Sequence, residues 1–210
     1  MRSGWILLAL IALMSLASIA FLLSIPRELA ESLTVEGTGF FEYGAVVGYF
    51  LCAAIILTSA PPTFSAQILP AIVPVMLGLR ELDMDKRYFT KGLFKSSQYF
   101  KGEVAWFEIV ISTLILLFIV VCAILILKKG ARPFVQGLLK RQPWAFAIVA
   151  AFLTAAIAKS LDGIGRKLRD FGIEISDNVQ EIAVLLEEGL EFAIPAFLIA
   201  AALTYRRTHA

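Results

Sequence analysis

Histidine is almost missing from this chain, and charge is scarce. The one histidine, His209, stands next to the last residue. That argues against haem, zinc or copper sites built on imidazole, and against a Ser-His or Cys-His nucleophile. Cysteine occurs twice, at Cys52 and Cys122, each inside an apolar run and without disulfide or metal spacing. Both read as small packing residues. No Gly-rich phosphate loop is present, and the basic residues form no groove pattern for nucleic acid. Internal repeats and low-complexity tracts are also lacking.

Only 17% of the residues are charged, whereas 59% are hydrophobic and the mean hydropathy is +0.82. A water-soluble fold of this composition could not cover its surface with polar groups. The apolar residues fall in long runs, not in period-2 or period-3.6 stripes, and that is the pattern of a chain solvated by lipid.

The runs are Trp5–Ile25, Tyr43–Ala60, Pro62–Leu79, Val104–Leu127, Trp144–Leu161 and Ile182–Tyr205. Each approaches the ~20 residues needed to cross about 30 Å of hydrocarbon. The first has signal-peptide features but continues far enough to span, so it reads as a retained helix. Pro61-Pro62 predicts a tight break that makes a hairpin of the second and third runs. Pro70 and Pro74 interrupt the third run, which raises the alternative of a kinked or re-entrant segment. Charge favours six crossings. One side then carries Arg2, Lys128, Lys129, Arg132, Lys140, Arg141, Arg206 and Arg207 and no acid, while all 17 Asp and Glu lie on the other. By the positive-inside rule the basic side is cytoplasmic.

The expectation is an all-α, polytopic transmembrane helical bundle of about six helices, a single domain over 1–210, with both termini cytoplasmic. Trp5 and Trp144 would line the inner interface and Trp106 the outer one. The outer connections are 26–42, 80–103 and 162–181, where function is usually carried on a rigid scaffold.

Three groups on the outer side could carry chemistry. At the start of the last helix, Asp177, Glu181, Glu187, Glu188 and Glu191 fall within an arc of about 120° at 100° per residue. Glu187 and Glu188 would stand at the interface and Glu191 about one turn deeper, followed by Pro195. Acids near a helix N-terminus are also favoured by the macrodipole alone. That explanation serves Glu191 worst, because an ionisable group within a membrane span is a functional candidate by default.

The second group is Arg80-Glu81-Leu82-Asp83-Met84-Asp85-Lys86-Arg87. If helical throughout, it pairs Glu81 with Asp85 and Asp83 with Arg87 at i,i+4. No cofactor is evident, but the Asp83-x-Asp85 spacing would admit a divalent cation held against a lipid diphosphate. Either these acids hold a ligand, or the segment is a self-neutralised interfacial turn. After it, Lys91, Lys95 and Lys101 alternate with aromatic residues, which suits a segment in the headgroup region that binds anionic lipid or simply anchors the chain. The third group is Lys159 with Asp162, which are i,i+3 neighbours, and Glu108 at similar depth on another helix; together they suggest a supporting ion-pair network.

The blocks RELDMDKRYFTKGLFKSSQYF, KSLD and LEEGLEF resemble a family of uncharacterised multi-pass bacterial inner-membrane proteins. The resemblance implies a bacterial cytoplasmic membrane and one outer-side unit made from the three blocks, and it implies no activity. Asp162-Gly163-Ile164-Gly165-Arg166 resembles the opening of the CDP-alcohol phosphotransferase motif, but the acids that follow are wrongly spaced for it. Three functional readings stay open. The first is an outward-facing carboxylate cluster that binds a cation, a proton or a cationic group in transport, sensing or an accessory role. The second is an intramembrane lipid-modifying enzyme with a metal or a carboxylate acid/base. The third is an assembly subunit that docks a membrane or periplasmic partner.

Overall fold

A computed structural model describes residues 2–35, 39–58, 67–100 and 104–209, and every regular element among them is helical. The helices are α1 (Arg2–Ser24), α2 (Arg27–Thr34), α3 (Phe40–Leu57), α4 (Leu69–Glu81), α5 (Met84–Tyr88), α6 (Ser97–Phe100), α7 (Trp106–Leu139), α8 (Pro143–Leu161), α9 (Ile164–Arg169) and α10 (Asp177–His209). Four of them, α1, α3, α7 and α8, are long and apolar enough to cross a membrane. Their outward faces are rich in exposed Leu, Ile, Val and Phe, which water would wet only at high cost and lipid solvates freely.

The central element is α10, which packs against α8, α3 and α1, while α4 lies along α3. Tyr49 and Ala45 of α3, Ala151 of α8, and Ala193, Ile194 and Phe197 of α10 form the main buried cluster. A smaller cluster of Ala147, Ala200 and Ala201 sits beside it, with α1 residues Leu7, Leu8 and Ile11 packed on. Lipid tails are as apolar as leucine, so helices in this setting are held by close backbone approach instead of burial from water. The sequence supplies it through small residues. Gly44 and Gly48, four apart on α3, face Phe192 and Pro195 of α10. A Cβ on Gly48 would stand 2.9 Å from the Pro195 Cβ. On α10, Gly189 admits Ile19 of α1 in the same way.

The two ends of the bundle differ. At one end Gly4 abuts Pro143 and Thr204, Trp5 packs on Phe146 with ring centroids 5.1 Å apart, and Trp144 meets Tyr205 edge-on at 5.1 Å. The start of α1, the α7–α8 turn and the end of α10 therefore come together, and with them Arg2, Lys140, Arg141, Arg206 and Arg207. The opposite end collects the Arg27–Glu181, Arg80–Glu191 and Lys159–Asp162 pairs.

Several expectations need correction. The stretch 128–139, expected to be loop, continues α7 as helix, which makes that helix about 50 Å long. Its Lys, Arg, Gln and Leu residues are good helix formers, and Pro133 is accommodated within it. The helix stops in a left-handed Arg141 (φ 52°), with Gln142 N–H donating to Gly137 O at 2.8 Å and Arg141 N–H to Leu138 O at 3.0 Å. This is a Schellman closure with arginine where glycine is usual. Trp144 is buried in that turn against Phe134 and Tyr205, its Nε1 donating to Gln142 Oε1, so it staples the hairpin. Trp106 is exposed, as a belt residue should be, and Trp5 is partly so. The described part of the third apolar run, α4, has 13 residues, too few to span by itself, and Pro61-Pro62 lies outside the described residues.

Candidate functional site

The acidic groups sort into two sets around α10. In the first, Glu188 and Glu191 of α10 lie within electrostatic range of Glu81 at the end of α4 and of Glu42 in the first turn of α3, and Glu191 is also within range of Lys159 and Asp162, which joins this set to the second. Arg80 bridges this set, with guanidinium nitrogens 3.6 Å from Glu81 and 3.9 Å from Glu191. The Glu81 and Glu191 side chains are only 10% and 18% exposed, while that of Arg80 is about half exposed. Tyr49, wholly buried on α3 against Gly78 of α4, lies within the field of Glu81, Glu191 and Arg80. The close α3–α4 and α3–α10 contacts at Gly78, Gly44 and Gly48 thus set the depth and spacing of the carboxylates. Residues far apart in sequence share one junction because small side chains let three helices converge there.

The second set lies toward α8. Glu187 faces Asp162 and Lys159, not the first set alone. Lys159 donates to Asp162 at the end of α8, and this hydrogen bond holds the Asp162 carboxyl below the usual aspartate range. Lys167 on α9 donates to the carbonyls of Lys159 and Ser160, which closes the C-terminus of α8 with a cation where the helix dipole favours one.

Other expected partners separate. Glu181 pairs with Arg27 at the start of α2, which draws it away from the acids further along α10. Glu108 accepts from the Thr90 backbone N–H at 2.8 Å and from its hydroxyl at 2.9 and 3.1 Å, so it pins the segment before α7 and makes no ion pair with Lys159 among the described residues. The Arg80–Arg87 stretch is not one helix. It breaks at Leu82-Asp83, with Asp83 left-handed (φ 50°), so the i,i+4 pairs of Glu81 with Asp85 and of Asp83 with Arg87 do not form along one helix face. Asp83 instead takes Lys86 at 2.8 Å, and the Asp85 carboxylate turns toward Gly92. Among the described residues no three Asp, Glu, Cys or His side chains are grouped as metal ligands. Lys91 and Lys95 sit in the segment between α5 and α6, and Lys101 lies outside the described residues. Cys52 and Cys122 are buried and unbridged.

Two residues of this site were not anticipated from sequence: Arg80 as the bridge between α4 and α10, and Glu42 as the contribution of α3. The Gly44-x-x-x-Gly48 spacing in an apolar run was the available signal that α3 approaches another helix closely.

Helical architecture, four spans of sufficient length and a lipid-wettable exterior fit a multi-pass membrane protein. No protein-family model, curated protein or solved structure matches the chain.

Proposed function

We propose that this is a bacterial inner-membrane protein that crosses the bilayer six times with both termini in the cytoplasm, and that the carboxylates around α10 form an outward-facing site for a cation, a proton or a cationic group. The observation that carries the ligand reading is the junction of α3, α4 and α10, where Arg80 reaches both Glu81 and Glu191 and where Glu42 and Glu188 lie within range of their charge. Carboxylates this close repel unless a positive charge or a proton sits among them. Arg80, itself half exposed and at 3.6 and 3.9 Å from its partners, holds them loosely. An incoming cation can share or displace it. The site opens at the acidic end of the bundle, and the collection of Arg2, Lys140, Arg141, Arg206 and Arg207 at the other end supports an inward assignment for that end.

The test is thermal stability of the purified protein across a series of monovalent, divalent and organic cations and across pH. Wild type should respond, and Gln substitutions at Glu188 and Glu191 should blunt the response, with a smaller effect at Glu187. If none of the three changes it, the site reading falls. Topology is tested separately by thiol labelling of single cysteines placed at Arg132 and Asp170 in a background lacking Cys52 and Cys122. They should react from opposite sides of the membrane, and same-side labelling refutes the six-crossing arrangement.

A further inference from the structure

We propose that the cap between α4 and α7, residues 84–100, is a binding surface for the headgroup of an anionic phospholipid. The cap is a folded unit and not a slack loop. Thr90 is tied to Glu108, the Lys91 N–H donates to Gln98 Oε1 at 2.9 Å, and the Tyr99 hydroxyl donates to Leu93 O at 2.6 Å. Leu93 and Gln98 are buried beneath it. What this scaffold turns outward is therefore displayed by the fold. Tyr88 is 71% exposed, Phe94 60% and Phe100 86%.

The charges decide the kind of partner. Asp83, ahead of the cap, is paired with Lys86, and the partly buried Asp85 carboxylate lies at Gly92, where the Lys95 side chain also passes. Over residues 84–100 Asp85 is the one acid against Lys86, Arg87, Lys91 and Lys95, and Arg87 and Lys95 are exposed and make no ion pair among the described residues. The surface that remains is positive and aromatic, with a cation beside a ring at Arg87-Tyr88 and again at Phe94-Lys95. Rings of this kind settle at the level of lipid headgroups, and basic side chains beside them attract anionic phosphate there. Thr90 of the cap is bonded to Glu108 in the first turn of α7, close in sequence to exposed Trp106 and Phe107, so the cap adjoins the start of an apolar helix long enough to cross a membrane. What favours a lipid over a docked protein is the bond from Thr90 to Glu108, which holds the cap beside the start of a helix apolar enough to cross a membrane.

The experiment uses the full chain in a neutral detergent, with phosphatidylglycerol or phosphatidylcholine added at matched concentration and bound lipid counted by native mass spectrometry. Wild type should retain phosphatidylglycerol preferentially. R87Q/K95Q should weaken that retention roughly tenfold or more while leaving phosphatidylcholine retention and the thermal midpoint without lipid unchanged. R87K/K95R, which keeps the charge, should restore it. Equal retention of the two lipids by wild type, or undiminished phosphatidylglycerol retention by R87Q/K95Q, overturns the proposal. Displacement of phosphatidylglycerol by an equal concentration of inorganic phosphate also overturns it, because the site would then recognise a free anion.

Discussion

An alanine at position 48 would place its Cβ 2.9 Å from the Pro195 Cβ and 3.0 Å from the Pro195 Cγ. The neighbour is a pyrrolidine ring fixed within α10, with no rotamer by which to withdraw, so α3 or α10 must shift. Overpacking of this kind costs about 1–3 kcal/mol. Against it stands the gain from replacing a helical glycine by alanine, about 0.5–1 kcal/mol. The net loss then lies within about 0–2.5 kcal/mol, and the unyielding Pro195 ring places it in the upper part of that range. Gly130→Ala supplies the control, because a Cβ there meets nothing within 4 Å. The same chemical change should then stabilise by about 0.5–1 kcal/mol. Gly44→Ala should fall between them, since the atom it meets is the far edge of the Phe192 ring, which can turn. Unfolding followed by circular dichroism in mixed micelles, with the three variants in parallel, gives the comparison. If Gly48→Ala is as stable as wild type, or moves in the same direction as Gly130→Ala, the close α3–α10 approach described above is wrong.

Arg141→Gly should raise stability by about 1 kcal/mol, because the left-handed residue that closes α7 carries a Cβ penalty glycine lacks; the same unfolding assay reads it. Trp144→Ala should cost about 3–5 kcal/mol, since it removes a buried ring that fills the α7–α8 turn against Phe134 and Tyr205, and loss of indole fluorescence together with an early transition would show it. Asp162 is held below its ordinary value near 3.8 by Lys159, so the pair stabilises the fold above that value, and the contribution disappears as pH falls through the lowered one. Asp162→Asn should accordingly be less stable than wild type at neutral pH and equal to it in strong acid, with the gap shrinking in high salt because the pair is largely exposed. An unchanged gap across pH would remove the ion pair as its cause.

The helices were legible where lipid-like runs specify them. The apolar stretches anticipated α1, α3, α8 and the spanning part of α7 to within a few residues, because hydropathy acts locally and needs no knowledge of neighbours. The extension of α7 through 128–139 was missed because Lys-Lys-Gly-Ala-Arg-Pro carries the markers of a loop; helix propensity over the whole stretch outweighed one glycine and one proline. At Asp83 the reverse occurred. A stretch that could have run on as one helix was interrupted by left-handed Asp83, so Asp83 pairs with Lys86 and not with Arg87 one turn on. The carboxylate group was half legible. Glu188 and Glu191 could be named from one helix, but their meeting with Glu42 and Glu81 depends on how closely α3, α4 and α10 pack, and periodicity within a single segment carries no information on that. Glu108 shows the same limit: depth in the membrane was inferred, yet the partner turned out to be Thr90 in the adjoining cap.

The position of α10 has a consequence for how the bundle is made. Helices α1 and α8 find their main partner in α10, and α3 divides its packing between α4 and α10, yet α10 leaves the ribosome after all of them. Until it arrives, the glycines at 44 and 48 and the alanine face of α8 border a slot with nothing in it, and Arg80 lacks one of its two carboxylates. Insertion of the earlier helices and completion of the acidic junction are therefore separate events in time. The last helix to be made packs against three of the others and, in the same step, brings Glu191 to Arg80.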